Sequence, residues 1–154
     1  MPASVFEKLQ ITLTPPTPER IEALTGYDPD FLDDRIEAPE PRPTIAEDVT
    51  HTVEGDTLVE HTHFSLQMSE SCRFARWVAW NIDGGSLKNL SRRGIEFVKD
   101  PQLDPDDQVG DELYRDNDLD RGHIARRADL MWGPMAVAKK ATSTPSTSAT
   151  SRPR

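Results

Sequence analysis

The residues able to close a core are concentrated between Thr57 and Ala141, and the stretches on either side are poor in them. Upstream, short apolar islands alternate with proline and acid. Pro18 to Leu24 reads as a short helix ending near Gly26, with Thr17 at the N-cap and Pro18 at the first helical position, where a missing N–H costs nothing. From Ala38 to Pro43 every second residue is proline, and each proline disfavours helix for the residue before it, so this is extended linker. Downstream, Thr142 to Arg154 contains only Thr, Ser, Pro, Ala and Arg. That composition buries too little apolar surface to offset the entropy of ordering the chain. The expected organisation is a Pro- and acid-rich extension with a short helix over 1–56, a folded domain over 57–141 and a disordered tail over 142–154.

Within the folded stretch, Thr62 to Met68 alternates and places Phe64, Leu66 and Met68 on one face of a strand. Arg76 to Ile82 is a more apolar strand, whose Trp77 and Trp80 read as core. Asp83-Gly84-Gly85 follows as a hairpin turn, with the glycines supplying positive φ. A long acidic loop runs from Lys99-Asp100-Pro101 to Tyr114 and Asp120. Ala125 to Ala141 reads as helix, interrupted near Gly133-Pro134. His61 and His63 stand at strand spacing; with no third ligand nearby they read as a solvated or half-buried strand face, not a metal pair. The fold class expected is α+β.

A net charge of −9 argues against a general electrostatic binder of nucleic acid, which needs many Lys and Arg contacts to phosphate. A local basic patch on an acidic chain remains compatible with that number, and a bound cation would supply some of the missing attraction. The single Cys72 excludes an internal disulfide. No apolar run reaches transmembrane length, and the N-terminus lacks the basic-plus-apolar pattern of a secretory leader. The expectation is a soluble, cytoplasmic chain with no membrane partner.

Chemistry concentrates at Asp120-Arg121-Gly122-His123, preceded by an acidic approach and followed by Ile124-Ala125-Arg126-Arg127-Ala128-Asp129-Leu130-Met131-Trp132-Gly133. This block resembles the DRGH signature of the sugar-nonspecific DNA/RNA endonucleases, the ββα-metal or His-Me finger family. Other blocks stand in the family's order: His63-Phe64-Ser65 with Met68, Asn81-Ile82-Asp83-Gly84, and Arg92-Arg93 ahead of Phe97 and Asp100-Pro101. Several ordered blocks are far more specific than the tetrapeptide alone.

The resemblance implies a ββα-metal nuclease domain cleaving the phosphodiester backbone of DNA and RNA. His123, as a neutral imidazole, would take a proton from the attacking water. Arg93, or Arg92 one place earlier, matches the phosphate-stabilising position, where a guanidinium can bind bidentately. Asp120 would orient the site, Arg121 would contact phosphate, and Arg126 and Arg127 would complete a phosphate-binding patch. Mg²⁺, or another divalent cation such as Mn²⁺, would be the cofactor. Backbone-only contact leaves both DNA and RNA as partners.

The family's metal-holding Asn closes a stretch reading roughly Asn-x-Asp-Thr-Phe-x-x-Ser/Thr-Asn-x-x-Pro-Gln soon after the signature. Its expected position here is Thr150, and no residue after Ala141 supplies it. With a permissive choice of codons, a one-base shift turns Thr142 to Pro153 into Asn-Leu-Asp-Thr-Phe-His-Phe-Ser-Asn-Val-Ala-Pro. The domain is therefore expected to be truncated or frameshifted at its C-terminal end, with the metal ligand unknown and catalysis impaired. Asp116 to Asp120 mimics a calcium loop, but Arg121 replaces the required Gly and Arg127 stands where a bidentate Glu belongs. The alternative from another class is a non-catalytic module: a pseudo-nuclease that binds nucleic acid, or a protein-interaction domain using its acidic surface.

Overall fold

The computed structural model describes residues 26–91, 98–116, 119–120, 123, 125–142 and 152–153. The short helix expected at Pro18 to Leu24 lies outside the described residues. Three antiparallel strands form the centre, β1 (Val59–His61), β2 (Phe64–Met68) and β3 (Ala75–Trp80), in the order β1-β2-β3. Val59 pairs with Leu66 and His61 with Phe64; on the other side Phe64 pairs with Trp80 and Leu66 with Val78. A further antiparallel pair joins β4 (Leu119–Asp120) to β5 (Arg152–Pro153). Three short α-helices, α1 (Asp111–Tyr114), α2 (Arg127–Leu130) and α3 (Met135–Thr142), and two 3-10 helices, Pro43–Asp48 and Pro105–Asp107, complete the described elements. The class is a small α+β fold. Among the described residues, no helix is long and apolar enough to cross a membrane.

The expected alternation of β2 puts Phe64, Leu66 and Met68 into the core, together with Val59, Leu103, Ala125, Leu130 and Ala141. Its other face does not meet solvent: Ser65 and Gln67 are buried too. Over Ser65 the cover includes the stretch from Gly26 to Asp28. The Gly26 N–H donates to the His61 carbonyl (2.7 Å) and the Tyr27 N–H to Ser65 Oγ (2.8 Å). Asn81 then clasps Asp28, accepting its N–H at Oδ1 (2.8 Å) and donating from Nδ2 to its carbonyl (3.0 Å). Gly26 has φ +84, and a Cβ there would stand 2.5 Å from Glu60 Oε1 and 2.7 Å from Ser65 Oγ. Only glycine allows that backbone so close to the sheet.

The β2–β3 register slips between Gln67 and Met68, so that Gln67 faces Trp77 while Met68 faces Ala75. Arg76 is the extra residue of this bulge, and its guanidinium pairs with Asp48. Asp48 also accepts from Ser69 Oγ (2.6 Å) and the Ser71 N–H (2.8 Å). The hydrogen bonds from Ser69 and Ser71, and secondarily the Arg76 charge, hold its carboxyl well below the usual carboxylate range.

Two expectations change. Gly84 and Gly85 are absent from the positive-φ positions, and no described strand pairs with β3 on its far side. The turn is instead held by the Asp83 side chain, which accepts from the Gly85 N–H (2.9 Å) and from Ser86 Oγ (2.5 Å). An Asp side chain that closes its own turn removes the need for left-handed glycine. Trp77 and Trp80 are half-buried, Trp80 packing against the core from outside; the tryptophan fully enclosed is Trp132. The break near Gly133-Pro134 falls where expected, between α2 and α3, with Gly133 at φ +80.

Candidate functional site

The segment around the signature is held by residues on both sides of it. His123 is half-buried; it follows β4 and precedes Ala125, which belongs to the core cluster. Arg121, Gly122 and Ile124 lie outside the described residues, as do Arg92, Arg93 and Thr150. The Asp120 backbone pairs with Arg152.

Of the two arginines after the signature, Arg126 is exposed. It binds Asp129 through two donors, Nε at 2.8 Å and Nη2 at 3.0 Å, and that carboxylate pushes its pKa further up. Arg127 turns inward. Its Nη1 and Nη2 donate to the Leu90 carbonyl (3.1 and 3.2 Å) and Nη2 also to the Ser91 carbonyl (2.8 Å). Arg127 thus binds the backbone of Leu90 and Ser91, a contact that no short sequence window contains.

Beyond α2 the chain is docked onto the end of β3. Trp132 is fully buried, donates from Nε1 to the Asn81 carbonyl (2.8 Å) and lies between His63 and Phe31. His63 sits in the two-residue turn between β1 and β2 at φ +72, a region that His enters more readily than most side chains. Its Nδ1–H donates to the Leu130 carbonyl (2.9 Å), and its own carbonyl accepts from the Asn81 N–H (2.9 Å). The Lys88 N–H binds the Met131 carbonyl (2.6 Å) and the Gly133 N–H binds Ser86 Oγ (3.0 Å). Asn81 and Trp132, two blocks that carried the family resemblance, therefore fasten the segment after the signature to the sheet.

His61 and His63 do not form one strand face, and both are buried. His61 Nε2 lies 2.6 Å from Asp100 Oδ2, both side chains being almost wholly enclosed. Asp100 is fixed in turn: its N–H donates to Gln108 Oε1 (2.6 Å), Gln108 Nε2 donates to its carbonyl (2.8 Å), and its Oδ1 accepts from the Gln102 N–H (3.0 Å). A His and an Asp far apart in sequence, each flanked by ordinary polar neighbours, gave no signal of this pairing.

Among the described residues, no three His, Cys, Asp or Glu side chains come together as metal ligands. No Asn follows His123 in the sequence. Among the described residues, then, no cluster of side chains forms a closed cage for a divalent ion.

Residues 42–150 match the family model described as DNA/RNA non-specific endonuclease, well over half of the chain. This chain belongs to that family. The endonuclease match runs across all three central strands, the signature and α3. The chain is also similar to the uncharacterized protein y4fB of Sinorhizobium fredii (strain NBRC 101917 / NGR234), 36% identical over 131 residues, covering 75% of this chain and 19% of the relative. It thus spans about a fifth of that relative's length. No solved structure matches the chain.

Proposed function

We propose that this member of the endonuclease family is a sequence-nonspecific nuclease domain with a ββα-metal site, hydrolysing phosphodiester bonds of DNA and RNA. The observation that carries the reading is a family match over residues 42–150, a stretch that contains Asp120 to His123. His123 acts as the general base: a neutral ring nitrogen accepts the proton of the attacking water, and the residue is only half-buried. Arg93, with Arg92, binds the non-bridging oxygens of the scissile phosphate, and a guanidinium stabilises the charge that develops there. Asp120 orients the site, while Arg121 and the exposed Arg126 extend the contact to neighbouring phosphates. Recognition confined to the backbone reads neither base sequence nor sugar. The reading carries a dependence on Mg²⁺ or a similar divalent ion such as Mn²⁺. Because the described residues offer such an ion no cage, hydrolysis by this chain is expected to be slow.

Random-sequence DNA and RNA, end-labelled and incubated with the protein and Mg²⁺, test the specificity. The expected result is a ladder of fragments from both. Cleavage confined to one recognition sequence, or to one of the two nucleic acids, would overturn it.

A further inference from the structure

A cleft of about 260 Å³ opens between the chain that follows Gly26 and the end of β3. Tyr27, Phe31, Leu32 and Ile36 line it on one side, Trp80 and Ile82 on the other. Three of these six are apolar side chains left in water: Leu32, Ile36 and Ile82 are 40, 50 and 43% exposed. Apolar side chains scattered singly over a surface are ordinary, whereas three at the mouth of one cleft form a contact patch. The walls are already fixed. Asn81 clasps Asp28 (2.8 and 3.0 Å), the Tyr27 hydroxyl donates to the Ile36 carbonyl (2.7 Å), and Phe31 rests on the buried Trp132 with ring centroids 5.3 Å apart. A preformed cleft binds without the entropic cost of ordering its walls.

The charge around the cleft selects its occupant. Between Gly26 and Pro43 stand six carboxylates and two arginines, and one of those, Arg35, is bridged to Asp30 and Glu37. Asp33 and Asp34 are exposed and pair with no cation among the described residues. Burial, then the charges of Asp28 and Glu37, raise the Tyr27 pKa, so negative potential reaches the cleft wall itself. That field repels phosphate, and a second copy would bring the same acids to a chain of net charge −9. The volume lies below the roughly 300 to 1,000 Å³ of small-molecule sites and suits an anchoring side chain. We propose that the cleft docks a basic peptide segment of a partner protein, which seats one aliphatic or aromatic side chain among Leu32, Ile36 and Ile82 and sets flanking Lys or Arg against the carboxylates of the Gly26–Pro43 stretch. The proposal is independent of the nuclease reading and needs no cleavage to be tested.

Fluorescence anisotropy of the full chain tests it with three labelled pentapeptides: a central Leu flanked by two Arg on each side, the same peptide with a central Ser, and the Leu peptide with Glu in place of Arg. The Leu–Arg peptide should bind tightest, roughly tenfold ahead of the Ser form, and the Glu form not at all. Leu32→Ser combined with Ile36→Ser should remove the preference for Leu. Asp33→Asn combined with Asp34→Asn should weaken both Arg peptides several-fold and reduce their salt dependence. Glu54→Gln combined with Asp56→Asn, two exposed acids away from the cleft, should change little. Equal affinity for the Leu and Ser peptides, or equal losses in the two charge variants, would reduce the binding to general attraction and overturn the proposal. No binding of the Leu–Arg peptide would overturn it too. A wild-type dimer in sedimentation that Ile36→Ser dissociates would give the cleft to a second copy, and displacement of the Leu–Arg peptide by duplex DNA in the wild type but not in the Leu32→Ser, Ile36→Ser variant would give it to nucleic acid; either result contradicts the proposal. Should the double serine variant lose its fold by circular dichroism, the shift of the Trp80 indole N–H resonance in the wild type, present with the Leu–Arg peptide and absent with the Ser form, decides the site.

Discussion

The imidazole of His63 lies almost flat on the indole of Trp132, ring centroids 3.6 Å apart and planes within 13° of parallel. One ring belongs to the first tight turn of the sheet and the other to the segment that follows the nuclease signature. Because both are fully buried, the stack is a joint between the sheet and the segment around Trp132.

That joint is sensitive to acid. His63 Nδ1–H binds Leu130, while Nε2 is buried with no hydrogen-bond partner among the described residues. Burial pushes the ring's pKa down from 6.5 to about 4, against the smaller raising effect of the Leu130 carbonyl. Between those values the unfolded chain holds the proton and the folded one does not, so stability falls as pH drops. The contribution is complete above about pH 6.5, is lost through the window down to about 4 and changes little below it. The loss is about 3 kcal/mol at most. Denaturant midpoints from pH 7.5 to 4 check it, with His63→Asn as the comparison because Asn tolerates the left-handed backbone. The loss should be much smaller in the variant, and equal losses would refute the assignment.

Trp132 fills the space between His63 and Phe31 and satisfies the Asn81 carbonyl. Trp132→Ala should cost roughly 3 to 5 kcal/mol. Trp132→Phe should cost less, but should still leave that carbonyl unpaired, at about 1 to 3 kcal/mol. Urea unfolding followed by far-UV circular dichroism gives both numbers.

The buried pair of His61 and Asp100 predicts an asymmetry. Asp100→Ala removes the carboxylate that lies 2.6 Å from the enclosed His61 ring, together with the Oδ1 that accepts from the Gln102 N–H, and should destabilise by about 1 to 3 kcal/mol. Asp100→Asn keeps the volume and one acceptor and should cost clearly less. Equal midpoints for the two variants would count against the pairing.

Gly26→Ala forces a side chain into a backbone at φ +84 and against Ser65 Oγ, which already accepts from Tyr27. A loss of about 1 to 3 kcal/mol is expected, together with faster exchange at the Tyr27 and Asp28 amides. A neutral substitution would mean that the stretch from Gly26 to Asp28 does not cover Ser65 in solution.

What the sequence reveals is local. The alternation at Phe64, Leu66 and Met68 locates β2 because a strand's two faces repeat every second residue. The helix break at Gly133-Pro134 is visible because proline cannot donate the bond a helix needs. The second face of β2 is invisible, since over Ser65 its cover includes the irregular stretch from Gly26 to Asp28, which has no period to detect. Gly84-Gly85 misleads because Asp83 does through its side chain what a glycine does through its backbone. Of the site, the tetrapeptide announces His123, whereas the contacts made by Arg127, His63 and Trp132 depend on chain crossings that no short window contains.

The most direct test of the account is nicking of supercoiled plasmid by the protein with Mg²⁺, set beside the same reaction in EDTA and beside His123→Ala. The account predicts slow nicking that stops in EDTA and falls to background in His123→Ala, with both proteins equally folded. Folded wild-type protein that binds plasmid in a salt-sensitive manner yet nicks it no faster than His123→Ala would contradict the account, and would leave a nucleic-acid-binding module in its place.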